Sequence, residues 1–300
     1  MPKQLPKLLI TGISGFLGRH FLNAPPKNWS CIGLYQQNPV FKSPFPTFAL
    51  DLTDESAVSF FLDYHCPDAI IHLAALSNPN FCEKHPDLSA LINVEVSARL
   101  ANWCAQSGAR FLFASTDLVF DGQHAPYDET YPIQPVNIYG RHKAEAEERI
   151  QVLYPQAGVA RLPLMFGHPG TKLGFMANWL AQLEKGQPIK AFTDEYRTAA
   201  AAYEVLAGLL LLLEKKVSGI WHLGGVERMS RFDFAQKMAR TFGHPVHLIQ
   251  ASRQAEVNMA AKRPADVSLN SNKAFELGYV ASKTESALEA IQRQWSSPKL

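Results

Sequence analysis

The first 23 residues contain the pattern that most restricts the fold. Residues 7–11 form a short apolar run, and residues 16–23 follow with apolar side chains at helical spacing. Between them lie three glycines, each separated by two residues: Gly12, Gly15 and Gly18. Glycine suits a turn that must be tight, approach a pyrophosphate and pack a helix on a sheet. The segment predicts a dinucleotide-binding strand-turn-helix, with a ligand-free glycine turn as the alternative.

The same alternation continues along the chain. Further strand-like runs are predicted at residues 30–35, 47–51, 69–73, 110–115 and 159–162. Helices are predicted between most of them, at residues 54–64 (with Thr53 as N-cap), 87–106 and 138–153. Strands that alternate with helices favour a parallel sheet covered on both faces. The predicted fold class is α/β, a Rossmann-type doubly wound parallel sheet with a smaller C-terminal α/β substrate domain.

The second half is less regular. Its predicted elements are a loop at 168–174, a helix at 175–184, a strand at 219–223, a helix at 232–242 and a last helix opened by Ser282-x-x-Glu285. In that last helix, Leu288, Ile291 and Trp295 share one face. We predict a dinucleotide-binding domain of residues 1–167 with a return segment at about 195–225, and a substrate-binding domain of residues 168–194 and 226–300.

Composition excludes several classes of protein. A net charge of +2 and a charged fraction of 19% do not suit a protein that coats nucleic acid. The longest apolar run, 205–213, is much shorter than the roughly 20 residues of a membrane span. No apolar leader precedes the first strand, and the four cysteines form no C-x-x-C pair. We expect a cytoplasmic protein with reduced thiols and no nucleic-acid, membrane or metal partner; Cys82 and His85, three apart, are the weak alternative for a metal or nucleophilic site.

A tyrosine and a lysine at helical spacing suggest acid-base chemistry. Tyr139 and Lys143 lie four residues apart on one predicted helix, so the ammonium can lie beside the phenol. A nearby cation lowers a tyrosine pKa toward the working pH. A second pair, Tyr279 and Lys283, has the same spacing but joins a strand-like segment to the last helix, and we interpret it as structural.

Several motifs then point to one family. Ser115-Thr-Asp-Leu-Val-Phe-Asp-Gly122 and Tyr127-x-Glu129 precede Tyr139-Gly-x-x-Lys143. With 71–75, 161–167 and Arg263-Pro264, they resemble the extended short-chain dehydrogenase/reductase superfamily. Within it the pattern is most similar to dTDP-4-dehydrorhamnose reductases, and the beta regulatory subunit of methionine adenosyltransferase shares it. Leu118 departs from the subfamily, which commonly has tyrosine there.

The resemblance implies a role for individual residues. Thr116 would bind the substrate carbonyl, Tyr139 would donate a proton, and Lys143 would bind the nicotinamide ribose and tune Tyr139. The implied cofactor contacts, besides Tyr139 and Lys143, are Gly12, Ser14, Gly15, Phe16, Leu17, Gly18, Arg19, Asp51, Leu52, Ala74, Ala75 and Asn93. The implied substrate contacts are Ser77, Asp117, Val119, Phe120, Arg197 and Arg263.

The implied activity is NAD(P)H-dependent reduction of a nucleotide-linked 4-keto-6-deoxy sugar. An NAD-dependent nucleotide-sugar epimerase and a non-catalytic dinucleotide-binding regulatory subunit stay open, as does a homodimer. The second predicted strand ends in Gly33-Leu-Tyr-Gln-Gln37, without the acid that commonly binds the ribose of NAD. Because this acid is missing, NADP(H) is the preferred cofactor and NAD(H) the alternative; Arg19 is the nearest cation available for a 2′-phosphate, with a solvated arginine as the alternative.

Overall fold

The computed structural model describes residues 5–168 and 174–295. The strands are β1 (Lys7–Thr11), β2 (Ser30–Tyr35), β3 (Thr47–Ala49), β4 (Ala69–His72), β5 (Arg110–Thr116), β6 (Gly158–Leu162), β7 (Met165–Phe166), β8 (Ile189–Phe192), β9 (Tyr196–Arg197), β10 (Ala200–Ala201), β11 (Gly219–His222), β12 (Met229–Ser230) and β13 (Ile249–Ser252).

The α-helices are α1 (Phe16–Asn23), α2 (Glu55–His65), α3 (Pro79–Lys84), α4 (Pro86–Ala90), α5 (Val96–Ser107), α6 (Ile138–Leu153), α7 (Phe175–Glu184), α8 (Ala202–Glu214), α9 (Arg231–Thr241), α10 (Asn272–Leu277) and α11 (Thr284–Trp295). A π-helical segment, Leu91–Glu95, joins α4 to α5. Single 3-10 turns lie at Asp117–Val119, Val246–Leu248 and Gln254–Glu256.

Within the described residues, seven strands form one parallel sheet in the order β11-β6-β5-β4-β1-β2-β3. The chain moves outward from β1 to β2 and β3, and then crosses to place β4 on the other side of β1. The strand order therefore reverses between β1 and β4, and ligands of open α/β sheets bind at the carboxyl ends of strands at such a point. The predicted Rossmann-type α/β class is confirmed.

The sheet is buried on both faces. In β1, Leu8 and Ile10 pack toward α1 and α8, whereas Leu9 packs toward α2 and α5. This alternation follows the two-residue period of a strand, and it explains why the strand reads as a continuous apolar run. A third core, around Phe166, Met176 and Phe234, lies among α7, α9 and α11.

Most element predictions hold within a residue or two, and 138–153 and 175–184 match the observed helices. The predicted helix 87–106 is interrupted by the π-helical segment. The cap of α2 is Asp54, not Thr53, because the Thr53 hydroxyl donates to Asp51 instead. The third strand, predicted at residues 47–51, ends at Ala49, and Asp51 lies in the turn that follows it.

The predicted capping box at Ser282 is wrong. Helix α11 begins at Thr284, whose N–H donates to the Glu227 carboxylate at 2.7 Å. The backbone of Ser282 donates to Glu204. A carboxylate from a distant segment thus takes the place of the local cap.

The strand β11 pairs with β6, although 56 residues lie between the end of β6 at residue 162 and the start of β11 at residue 219. The division into two domains stays a prediction, and most of the predicted loop 168–174 lies outside the described residues. Among the residues described, no helix combines the length and apolar character needed to cross a membrane.

We expect Gly18→Ala to destabilise the protein. An added Cβ would lie 2.4 Å from the Gly12 carbonyl oxygen and 2.6 Å from the Ile13 Cα, and these backbone atoms cannot move aside cheaply. Overpacking of this kind costs about 1–3 kcal/mol, measurable by urea unfolding. Gly15→Ala is the matched control, because its Cβ would meet only the Gly12 oxygen at 3.2 Å. Equal stability of the two variants would contradict the close packing at Gly18.

Candidate active site

A cavity of about 720 Å³ lies at the carboxyl ends of the sheet strands. Its wall is formed by the turn after β1, the segment after β2, the loop after β4, the end of β5 and one turn of α6. Residues from the second half, including Phe175 and Glu195, complete it. The position agrees with the rule that open α/β sheets bind ligands where the strand order reverses.

The glycine turn provides a close backbone approach. Gly12 has a φ of 69°, and a Cβ there would lie 2.7 Å from the Ala74 nitrogen. Gly15 precedes α1 without a side-chain cap, and no acidic residue occupies the first turn of this helix. The first N–H groups of α1 and its dipole are therefore available to an anion. These features fit the pyrophosphate of a dinucleotide.

Beyond the end of β2, amide side chains line the cavity. Gln36, Gln37 and Asn38 lie there with Asp51, whose carboxylate accepts bonds from the Thr53 N–H at 2.9 Å and hydroxyl at 2.8 Å. These bonds hold the pKa of Asp51 below its usual value. Arg19 is not among the residues that line the cavity: its Nε donates to the Ser14 carbonyl at 3.0 Å, and its contact with a cofactor stays a prediction.

Thr116 and Tyr139 meet at the end of β5. Both line the cavity, and both are buried. The Thr116 hydroxyl accepts from the Leu118 N–H and donates to Asp117 Oδ1, each at 3.2 Å. The neighbouring Ser115 hydroxyl donates instead to the buried Glu147. Ser115 also lines the cavity, and the role of Thr116 as the hydroxyl that binds a ligand stays a prediction.

Tyr139 is kept in its phenol form. Burial raises its pKa above the usual value, the negative charge of Asp117 raises it further, and a hydrogen bond with Thr116 opposes the shift. The prediction that Lys143 lowers this pKa does not describe the present arrangement, since the Lys143 ammonium donates to the Ala114 carbonyl at 2.7 Å. A neutral phenol suits a proton donor.

Lys143 lies beneath the cavity wall. Its side chain is buried, is not part of the cavity lining, and its Nζ lies 3.7 Å from the centre of the Phe113 ring. Burial lowers the pKa of Lys143 to about 7, and the Glu147 carboxylate limits the decrease. Contact with a ribose stays a prediction for this residue.

Charged side chains gather at the far end of the cavity. Arg197 Nε lies 3.6 Å from Asp117 Oδ2, and Arg197 Nη2 lies 3.2 Å from Glu195. Burial raises the pKa of Asp117 to about 6, with Arg197 opposing the rise. Asp117 Oδ2 has no hydrogen-bond partner among the described residues. A buried acceptor of this kind is costly unless a ligand supplies a donor.

The structure brings most predicted residues to this one cavity. Those that line it are Gly12, Ser14, Gly15, Phe16, Leu17, Gly18, Asp51, Leu52, Ala74, Ala75, Ser77, Thr116, Asp117, Tyr139, Arg197 and Arg263. The lining also includes Glu195 and Phe175, which sequence reasoning did not assign. Glu195 had a signal, since it lies two residues before Arg197 in a charged cluster; Phe175 had none.

Besides Arg19 and Lys143, three more predicted contacts do not line the cavity. Val119 and Phe120 are fully buried, and the Phe120 ring stacks on Tyr127 with centroids 4.1 Å apart. The 3-10 turn after β5 directs both side chains into the core. Asn93 is also buried and bonds the backbone of Leu76 instead of lining the wall.

The two other candidate sites of the sequence, Cys82 with His85 and Tyr279 with Lys283, include side chains that bond to the backbone. Cys82 donates through its thiol to the Leu76 carbonyl at 3.2 Å, and the described residues contain no group of three metal-ligating side chains. The Tyr279 hydroxyl donates to the Leu223 carbonyl at 3.2 Å, within the core.

Comparison with known proteins identifies the family. Residues 6–296 match the family described as RmlD substrate binding domain. This chain belongs to the RmlD family. The match spans nearly the whole chain, so the extended short-chain dehydrogenase/reductase resemblance is confirmed, together with its RmlD branch.

Individual RmlD relatives differ in what they do. A probable low-salt glycan biosynthesis reductase of Haloferax volcanii is 30% identical over 96% of this chain and 97% of its own. The methionine adenosyltransferase 2 subunit beta of Bos taurus is 29% identical over 91% of this chain and 82% of its own. A dTDP-4-dehydrorhamnose reductase of Clostridium acetobutylicum has a TM-score of 0.86 and 26% identity, covering 97% of this chain and 100% of its own.

Because Lys143 is buried in this RmlD protein, we expect the free energy of unfolding to depend on pH. The folded-state pKa of Lys143, about 7, lies below its ordinary 10.5. Between these values the unfolded chain binds a proton that the folded chain does not, so this group makes the free energy of unfolding rise with pH, by at most about 1.4 kcal/mol per unit. Below pH 7 the contribution is flat.

We expect Lys143→Met to lose this rise in urea unfolding measured at a series of pH values. Lys273→Met is the control, because the Lys273 ammonium also donates to a carbonyl, that of Ile220, and lies over the Trp221 ring, but is exposed. Parallel curves for wild type and Lys143→Met would show that the buried lysine does not change its charge on unfolding.

Proposed function

We propose that the protein is an NAD(P)H-dependent reductase of a nucleotide-linked 4-keto-6-deoxy sugar. The observation that carries the proposal is the joint position of Thr116 and Tyr139 in one cavity with the glycine turn after β1. The cavity combines a place for a dinucleotide with a hydroxyl and a protonated phenol at the end of a strand. The Haloferax relative, a probable reductase, and the Clostridium dTDP-4-dehydrorhamnose reductase support the same class of reaction.

The residues have distinct roles in this proposal. A bound reduced nicotinamide dinucleotide would supply the hydride. As negative charge develops on the keto oxygen, the Thr116 hydroxyl donates a hydrogen bond to it, and Tyr139 transfers its phenol proton. The raised pKa of Tyr139 keeps that proton in place before the reaction. Lys143 would bind the ribose next to Tyr139.

The substrate would occupy the end of the cavity with the arginines. Arg263 lines this end, and its Nη2 donates to Asn80 Oδ1 at 3.2 Å. With Arg197 it provides positive charge for a diphosphate. Asp117 Oδ2, which has no hydrogen-bond partner among the described residues, would accept a bond from a substrate hydroxyl. Leu118, Leu76 and Leu164 present apolar surface nearby, which suits the methyl group of a deoxy sugar.

For the cofactor we propose NADP(H) as preferred and NAD(H) as the alternative. No carboxylate follows β2 directly; the amides of Gln36 and Gln37 can donate to a 2′-phosphate. The guanidinium of Arg19 is anchored at the Ser14 carbonyl next to this turn and would supply positive charge to the same group.

A regulatory role is the second candidate, and the similarity to the methionine adenosyltransferase subunit favours it. A protein of this kind would bind NADPH, consume none with any of a panel of sugar nucleotides, and co-purify with a synthetase. An epimerase, in contrast, would retain NAD⁺ through purification and show no net consumption.

We expect Tyr139→Phe to lower kcat by at least about 100-fold, because the proton donor is lost while the ring remains. The measurement is the rate at which NADPH absorbance falls in the presence of a dTDP-linked 4-keto-6-deoxy sugar. Tyr64→Phe, at a side chain on the exposed face of α2, is the control. Turnover by Tyr139→Phe at the wild-type rate would mean that another group donates the proton.

Arg19→Ala should weaken NADPH binding by about tenfold and leave NADH binding unchanged, because only NADPH carries the 2′-phosphate. Fluorescence titration of each cofactor gives both dissociation constants. Arg141→Ala removes an exposed cation from α6 and controls for net charge. If Arg19→Ala weakens both cofactors equally, Arg19 does not recognise the 2′-phosphate.

A further inference from the structure

Glu195 places a carboxylate at the end of the cavity that contains the arginines. It lines the cavity together with Arg197 and Arg263, and only 9% of its surface is exposed. In the proposed reaction this end receives the diphosphate of the substrate. A carboxylate beside a diphosphate repels it, and the repulsion is strong where little water is present to screen it. Glu195 therefore opposes the binding that the two arginines favour.

The ion pair of Glu195 lies at the wall of the cavity. Its Oε1 is 3.2 Å from Nη2 of Arg197, and both residues line the cavity. The pair of Glu147 and Arg161 differs, because both carboxylate oxygens of Glu147 accept from the guanidinium and neither residue lines the cavity. A ligand that enters the cavity can reach the first pair and replace the carboxylate, whereas the second pair is closed to it.

The backbone around Glu195 is fixed. The Glu195 carbonyl accepts the Arg231 N–H at 2.9 Å, and the Tyr196 N–H donates to the Ala265 carbonyl at 2.7 Å. The next residues form β9, which pairs with β12. Exchange of the carboxylate for a ligand is therefore a rotation of one side chain and needs no movement of the chain.

Arg197 has contacts that do not depend on Glu195. Its Nη1 donates to the Tyr196 carbonyl at 2.8 Å, and its Nε lies 3.6 Å from Asp117 Oδ2. These contacts would hold the guanidinium in place when the Glu195 carboxylate turns away. The nitrogen then left for a phosphate oxygen is Nη2, the one that Glu195 now occupies.

Glu195 also balances the charge of two further arginines. Burial lowers the pKa of Arg231 to about 10 and lowers that of Arg263, and the charge of Glu195 limits both decreases. Nη1 of Arg231 has no hydrogen-bond partner among the described residues. Loss of the Glu195 charge would leave this end of the cavity with an excess of positive charge, which attracts an anion.

We propose that Glu195 is an internal competitor for the diphosphate of the substrate. Its carboxylate pairs with Arg197 before the nucleotide binds, and a phosphate oxygen takes its place in the complex. The inference rests on the proposed function, which places the diphosphate at this end. Because substrate and product carry the same diphosphate, the competition weakens the binding of both and favours release of the product.

The decisive variant is Glu195→Gln, which keeps the shape of the side chain and removes its charge. The protein is saturated with NADPH and titrated with dTDP by calorimetry, and the dissociation constant of NADPH is measured separately by fluorescence. We expect dTDP to bind about tenfold more tightly to Glu195→Gln than to wild type, because no carboxylate competes for Arg197. The dissociation constant of NADPH, which would bind at the glycine turn, should not change.

Glu214→Gln is the matched control, since it removes the same charge from an exposed position at the end of α8. It should leave the dissociation constants of dTDP and NADPH at their wild-type values. Glu195→Ala removes the same carboxylate together with its stem, should also bind dTDP more tightly, and decides if Glu195→Gln does not fold. A residue that only supports the structure would weaken binding when it is replaced, so tighter binding distinguishes competition from support.

Normal dTDP binding by wild type with equal or weaker binding by Glu195→Gln would overturn the inference alone, since Glu195 would then orient Arg197 or have no influence on it. Tighter binding of both dTDP and NADPH would also contradict it, because the effect would not be confined to this end. If neither wild type nor the Glu195 variants bind dTDP, the proposed substrate end is wrong and the inference fails with it.

Discussion

The close approach of the turn after β1 to the loop after β4 is the constraint on which the site depends. Gly12 and Ala74 are separated by less than a side chain would need, and Gly18 packs α1 on the same turn. This contact exists because β1 and β4 are neighbours in the sheet while β1 also pairs with β2. The cavity opens where the chain reverses its direction across the sheet, so the fold itself creates the place for a ligand.

The site also carries several buried charges. Lys143 and the Glu147–Arg161 pair lie under the strand end, and Asp117 and Arg197 lie at its far side. Burying charges is expensive, and ion pairs return this energy only when their hydrogen bonds are good. Glu147 and Arg161 satisfy that condition with a two-pronged pair, whereas Asp117 keeps one oxygen without a hydrogen-bond partner. We interpret the Glu147–Arg161 pair as structural, and we propose that Asp117 accepts a hydrogen bond from a substrate.

Sequence reasoning predicted the parts that depend on local pattern. The glycine spacing, the alternation of strands and helices, and the four-residue spacing of Tyr139 and Lys143 are visible along the chain, and the cavity contains most residues assigned from them. Sequence reasoning did not foresee contacts that depend on the direction in which a side chain points. Val119 and Phe120 belong to the right motif, but the 3-10 turn points them into the core. Asn93 lies on the right helix, but its π-helical geometry directs it to a backbone.

The sequence by itself determined the α/β class, the glycine turn after β1 and the identity of the candidate acid, because glycine spacing and helical period are local properties of the chain. Tertiary structure decided the partners of the two hydroxyls at the end of β5, since the Ser115 hydroxyl donates to the Glu147 carboxylate, 32 residues away in sequence, and the Thr116 hydroxyl to Asp117. It also decided that Lys143 lies beneath the wall and that Asp117 lies beside Arg197. Those outcomes depend on contacts between distant segments, and only the packed sheet and helices bring these together.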